Sequence, residues 1–233
     1  MLDGQESLSD KKQSTTNLSA KEPGQALLVL HETLQEAHPE TGAPYWRIRC
    51  WGLACWQPIY LAMICVYQLK AVPLRLQEIE QKQSGEMVAG YFLPDGMWQE
   101  GSHKTLIKTA SEQLNTMFQS FETAHVDAFG GRPALYQGLL ADQLMSALIA
   151  INNLLPDEQK YNLETDFQLW AQGMNLPLKP LAGLSQQETE TPVFVRHTCC
   201  LHFRRDGGEL CTNCPRLHTK SAKQKQQNTI NRQ

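Results

Sequence analysis

The sequence lacks the motifs by which many enzymes hold a nucleotide or attack a carbonyl group. Its 233 residues contain no G-x-G-x-x-G after a predicted strand, no P-loop and no Gly-x-Ser-x-Gly elbow. We therefore expect neither a nicotinamide or flavin site nor hydrolase chemistry of the serine type.

A large excess of charge of either sign is also missing. The chain has 21 Lys and Arg against 24 Asp and Glu, a net charge of −3, which argues against a protein that coats nucleic acid or anionic lipid. Residues 1–24 carry acids and polar side chains where a signal peptide needs an apolar stretch. Seven cysteines, an odd number, fit poorly with a secreted disulfide framework. We expect a cytoplasmic protein whose important cysteines are metal ligands or redox groups.

One long apolar run is present, over residues 51–69. Gln57, Pro58 and Gln68 interrupt it, which favours a helix buried on nearly all sides over a membrane-spanning segment. Three cysteines lie in or just before this run, and for them packing is favoured over metal ligation: Cys50, Cys55 and Cys65.

Hydrophobic periodicity predicts a mainly α fold, or α+β by strict counting, with one or two β-hairpins. Apolar residues at three- and four-residue spacing predict helices over 25–37, 102–129, 133–151 and 156–172. Alternation from Met87 to Tyr91, followed by a Pro94-Asp95-Gly96 turn, predicts a hairpin over 86–99. We predict four segments: a disordered 1–23, a helical domain 24–185, a C-terminal cysteine-rich segment 186–218 and a disordered tail 219–233.

The cysteine-rich segment carries the chemistry. Its motif is C-C-x10-C-x2-C, formed by Cys199, Cys200, Cys211 and Cys214. A C-x2-C pair is a chelating spacing, and thiolates select zinc, copper(I) or iron–sulfur clusters. A turn at 206–208 predicts a short hairpin over 201–210 that returns the last two cysteines to the first two.

Spacing alone leaves the metal open. Adjacent side chains in extended backbone point to opposite faces, so two neighbouring thiolates close more easily on two irons than on one zinc ion. This preference is mild, and structural zinc and an iron–sulfur centre remain about equal, with a redox dithiol behind both. His197 and His202 flank the pair, and a Rieske-type centre uses two histidines on one iron. Four available cysteines argue against histidine ligation here.

A helical protein of this size that ends in this motif resembles the FhuF-like ferric-siderophore reductases. Those proteins bind a [2Fe-2S] cluster through the same motif. The resemblance covers most of residues 30–216 and includes three further stretches: Arg49–Gly52 with Trp56–Pro58, Phe92–Pro94 and the Arg132–Asp142 helix. It implies that residues 186–218 bind iron and sulfur, with Cys199, Cys200, Cys211 and Cys214 as ligands. It also implies one-electron reduction of a chelated ferric ion.

The partners implied are a ferric siderophore and a separate electron donor, either a ferredoxin-like protein or a small reductant. No nucleic acid and no transmembrane segment are expected, and peripheral contact with the inner membrane stays open. Basic residues around the motif would suit an acidic donor protein or an anionic chelate as well as they suit a solvated loop. They are Arg196, Arg204, Arg205, Arg216 and Lys220.

The place where a chelate docks is not assigned at this stage. Arg47, Arg49, Trp51 and Trp98 are of a suitable kind, but packing or solvation is favoured for each. Two other functions remain open. One is a module stabilised by zinc on the four cysteines, which binds nucleic acid or a protein, and the other is an iron–sulfur electron-transfer protein without a siderophore substrate.

Overall fold

Helices make up most of the protein, whose structure is a computed structural model that describes residues 16–185 and 192–217. In chain order these parts contain β1 (Thr16–Leu18), α1 (Pro23–Ala37), α2 (Ala43–Ile64), β2 (Ala71–Pro73), β3 (Glu80–Ser84), β4 (Met87–Phe92), β5 (Trp98–Glu100), α3 (His103–Phe129), α4 (Pro133–Asn153), α5 (Leu163–Gly173), β6 (Leu184–Ser185) and β7 (Val193–Phe194). The predicted mainly α fold with small β elements is confirmed.

Helix α2 is the central element, because it packs against α1, α3 and α4. It continues into a π-helical turn over Cys65–Leu69. The spans Ala43–Leu69 and Pro133–Asn153 are long and apolar enough to cross a membrane, but 72% and 61% of their most apolar windows are buried in the protein. Such burial is typical of core helices and favours the buried-helix interpretation of residues 51–69.

Side chains cap the N-termini of α3 and α5. Ser102 caps α3 by accepting a hydrogen bond from the Thr105 backbone N–H. The predicted start of the last helix at residue 156 is wrong. Residues 157–159 form a 3-10 turn, and α5 begins only at Leu163, where the Asn162 side chain accepts from the Thr165 N–H at 2.8 Å.

The predicted hairpin over 86–99 is also wrong. β4 pairs antiparallel with β3 through a tight connection at Gly85 and Glu86, whereas β5 pairs with β2. Residues 93–97 therefore form an irregular connection between strands of two different sheets, and not the predicted turn. β3 was missed because it is polar in sequence; its buried Gln81 donates a hydrogen bond to the Ala54 carbonyl of α2 at 2.8 Å.

Part of the segment predicted to be disordered is ordered. Thr16–Leu18 pairs with β3, and Leu18 is buried in the core, so structure begins before residue 23. Burial of Leu18 stabilises this strand in a way that the polar composition around it does not indicate. Residues 1–15 and the predicted tail 219–233 lie outside the described residues, and the division into a domain 24–185 and a segment 186–218 remains a prediction.

A buried histidine links α3 to the centre of the fold. The His125 ring packs edge-on against Trp51 and Tyr136, and its Nε2 donates to the Arg47 carbonyl at 3.1 Å. The Nδ1 atom has no partner among the described residues. Burial lowers the pKa of His125 to about 4.

This pKa predicts a loss of stability in acid. The unfolded chain binds a proton on His125 below about pH 6.5, whereas the folded protein resists it until about pH 4, so stability falls as pH falls through this window. Between pH 7 and pH 5 the expected loss from this group is about 2 kcal/mol. His125→Gln, which keeps a donor for the Arg47 carbonyl but cannot titrate, should flatten the profile in urea unfolding. An equal loss in wild type and variant would contradict this assignment.

Candidate metal centre

One buried carboxylate fixes the chain just before the two adjacent cysteines. Asp142 of α4 is fully buried and accepts the backbone N–H of His197 at 2.9 Å and of Thr198 at 2.6 Å. The Thr198 hydroxyl also donates to it, and the Arg196 Nε lies 3.9 Å away. Several hydrogen bonds compensate the desolvation of this charge. Helix α4 therefore fixes the position of the backbone immediately before Cys199.

Helix α4 also provides the space for this contact. Gly138 lies one turn before Asp142 on the same face, and a Cβ atom there would stand 3.0 Å from the Thr198 methyl group. The segment is held further by the pairing of β6 with β7 and by a hydrogen bond from the Val195 N–H to the Gly183 carbonyl at 2.9 Å. The cysteine segment thus docks on the helical part through backbone groups.

The loop between the two halves of the motif is not the hairpin predicted over 201–210. Leu201 adopts a left-handed conformation with φ of 58°, and His202–Arg204 form a 3-10 turn. The loop also bonds to the helical part, since the Arg204 guanidinium donates to the Thr41 carbonyl at 3.1 Å. It nevertheless returns the chain as expected, so that Cys211 lies against Cys200.

The sulfur atoms of Cys200 and Cys211 are 3.3 Å apart. Cys214 is buried and follows in a tight turn, because its N–H donates to the Cys211 carbonyl at 2.9 Å. Cys214 is also an electrostatic neighbour of Cys199. The fold therefore brings the last two cysteines of the motif back to the first two.

Burial is the main cause that keeps protons on the sulfurs of Cys199 and Cys211. Burial chiefly raises the pKa of Cys211 to about 11, helped by the hydrogen bond with Cys200 and opposed by the charge of Arg196. Burial also raises the pKa of Cys199, although the Leu201 N–H donates to this thiol and lowers it. Metal binding must therefore displace protons from the thiols.

The donor set fits paired irons, because the sulfur atoms of Cys200 and Cys211 are 3.3 Å apart and Cys214 is an electrostatic neighbour of Cys199. Within residues 16–185 and 192–217, no group of three or more His, Cys, Asp or Glu side chains is placed to hold a metal ion. A single zinc ion needs four ligands around one centre, whereas each iron of a two-iron cluster needs only two protein ligands. The buried Arg196 Nε has no hydrogen-bond partner among the described residues and lines the same cavity as Cys211, so it offers an N–H to anionic sulfur.

The other three cysteines lie in the helical core. Cys50, Cys55 and Cys65 are at most 1% exposed, and Cys50 Sγ donates to the Leu27 carbonyl at 3.6 Å. Burial raises the pKa of all three thiols, that of Cys65 to about 11. This placement agrees with the packing interpretation.

The two flanking histidines contact protein groups. The His197 backbone binds Asp142, and His202 Nδ1 is 3.5 Å from the Tyr45 hydroxyl. Burial lowers the pKa of His202, and the positive charges of Arg49 and Arg205 lower it further. The wall of the site near His202 is therefore electropositive.

A cavity of about 480 Å³ lies between α2, α4 and the cysteine segment, and its lining includes Cys200 and Cys211. Arg49 lines it, whereas Trp51 is buried and donates from its indole to the Tyr136 carbonyl at 3.1 Å. Trp56 also lines the cavity, although its sequence context did not mark it as a site residue. The signal was the spacing of Arg49, Gly52 and Trp56 on one face of α2.

Comparison with known families agrees with the motif. Residues 196–216 match the family model of the FhuF 2Fe-2S C-terminal domain, and this range contains all four cysteines of the motif. The match confirms the resemblance for this segment and indicates a [2Fe-2S] cluster as its cofactor. No solved structure matches the chain.

We predict that Asp142→Asn releases the cysteine segment. The amide cannot accept the N–H groups of His197 and Thr198 as two carboxylate oxygens do, and the loss should weaken docking by about 3–5 kcal/mol. Hydrogen exchange at these two amides should accelerate, and iron content should fall. Asp157→Asn, which removes an exposed carboxylate that pairs with Lys160, is the matched control and should change neither. Full iron loading with unchanged amide protection in Asp142→Asn would refute the anchoring role.

Proposed function

We propose that the protein is a cytoplasmic siderophore ferric-iron reductase. The observation that carries the proposal is the four-cysteine segment, which matches a FhuF 2Fe-2S domain and whose Cys200 and Cys211 line a cavity of small-molecule size. The four cysteines Cys199, Cys200, Cys211 and Cys214 are its proposed cluster ligands.

The chemistry follows from the hardness of the oxygen donors in the siderophore. A siderophore holds Fe(III) through hard oxygen donors, and Fe(II), with less charge, is bound far more weakly by them. When bound, a [2Fe-2S] cluster supplies electrons one at a time. One electron from a ferredoxin-like protein or a small reductant therefore converts one chelated Fe(III) to Fe(II), which dissociates while the freed oxygens take up protons from solvent.

The protein's own residues position the cysteine segment and set the charge around it. Asp142 and the Gly183 carbonyl hold the cysteine segment in place on the helical part. The positive charge of Arg196 near Cys211 favours a more negative, reduced centre. No side chain has to act as a nucleophile or general base, which agrees with the absence of hydrolase motifs from the sequence.

The test is the appearance of Fe(II) from a ferric siderophore, followed with an Fe(II)-specific dye under anaerobic conditions. With a reduced ferredoxin-type donor, the wild type should accelerate Fe(II) formation. Cys211→Ser should lose at least about a hundredfold, since it removes a proposed ligand. Cys55→Ser is the matched control: it should keep the activity and lose only about 1–3 kcal/mol of stability, because the hydroxyl is buried in the core.

Two results would contradict this account in different ways. If Cys211→Ser kept both its activity and the visible absorption of the cluster, Cys211 could not be a ligand. A wild type that contains the cluster and accepts electrons, but forms no Fe(II) from any ferric siderophore, would instead be an electron-transfer protein.

A further inference from the structure

The cavity beside Cys200 and Cys211 is built from two rigid helices. Arg49, Gly52 and Trp56 of α2 form one wall, and α4 contributes residues at positions 139, 143 and 146. Both sets follow the three- and four-residue spacing of one helix face. A volume of about 480 Å³ suits a small molecule, whereas protein partners dock on larger and flatter surfaces.

The charge of this cavity is positive. Arg49 and Arg196 line it, and no Asp or Glu of the described residues does. Among these residues, no hydrogen bond or ion pair engages Arg49. Asp142 lies 3.9 Å from Arg196 but is fully buried and already bonded to two backbone N–H groups. The Arg49 guanidinium is therefore available to an anion, and Arg196 adds positive charge to the same cavity.

The remaining wall is mainly apolar and includes an aromatic ring. The Trp56 indole is fixed by donation to the Val88 carbonyl at 2.8 Å, and the exposed Met87 also belongs to the lining. Such a surface packs against the carbon skeleton of a ligand while the arginines bind its charge. The site thus combines an anion clamp with an apolar wall.

We propose that this cavity is the docking site of the ferric chelate and that it selects chelates with a net negative charge. The inference rests on the proposed function and names its substrate class. Four thiolates make the neighbouring centre electronegative, so an anionic chelate would be repelled unless Arg49 and Arg196 offset that charge. A chelate held here contacts the side of the centre formed by Cys200 and Cys211.

Gallium(III) chelates test binding without electron transfer, because Ga(III) has the size and charge of Fe(III) but is not reduced. Calorimetry with the cluster-loaded, full-length protein should show binding of an anionic Ga(III) tris-catecholate that is tighter than binding of a neutral Ga(III) tris-hydroxamate and that weakens with added salt. Arg49→Gln should weaken the tris-catecholate about ten- to hundredfold and leave the tris-hydroxamate nearly unchanged. Lys108→Gln, which removes an exposed charge on α3, should affect neither.

Steric block gives an independent test. A Cβ atom at Gly52 would meet no atom within 4 Å, so Gly52→Phe should extend into the cavity and abolish binding of both chelates. Gly24→Phe, at an equally open position in α1, is the matched control. Visible absorption of the cluster and circular dichroism check that each variant is folded. If Gly52→Phe does not fold, Arg49→Gln still tests the proposal.

The outcomes separate this inference from the proposed function. Unchanged tris-catecholate binding in Arg49→Gln, or equal affinity for the two chelates, would overturn the charge selection. Binding that persists in folded Gly52→Phe, or Fe(II) formation without any saturable chelate binding, would overturn the docking site while the reductase activity stands. Chelate binding that depends on Arg49 in a protein that forms no Fe(II) would support the site and contradict the reductase.

Discussion

A single carboxylate inside helix α4 determines where the metal-binding chain can lie. Asp142 would be unfavourable in the core without the N–H groups of residues 197 and 198, and those groups would lose their acceptor without it. The cysteine segment has few buried apolar side chains of its own, chiefly Phe194, Leu201 and Cys214. Its position therefore depends on this mutual satisfaction and on the space left by Gly138.

The same helices that build the core also shape the site. α2 buries one face against its neighbours and presents Arg49 and Trp56 on another, next to the cysteine loop. A wall on a packed helix is held more rigidly than one on a loop, and the proposed electron transfer requires such a fixed, close approach. The cysteine loop contributes the proposed ligands, and the helical part holds that loop in position.

Much of this arrangement was readable from the sequence, and the exceptions have physical causes. The long helices followed from their apolar period, and the metal motif from thiol spacing. β3 was missed because its inward residues, Gln81 among them, are polar groups satisfied by tertiary contacts. The loop 201–210 was misassigned because its shape depends on distant groups such as the Thr41 carbonyl. Asp142 gave no signal as an anchor, since its partners are backbone N–H groups that every sequence contains.

The central claim is that the four clustered cysteines bind a pair of irons. The most direct measurement is metal and acid-labile sulfide analysis of the anaerobically purified protein, combined with electron paramagnetic resonance after reduction by dithionite. We expect two irons and two sulfides per chain, together with a signal from one unpaired electron that appears on reduction. Stoichiometric zinc in a colourless protein that gives no signal after reduction would contradict the account.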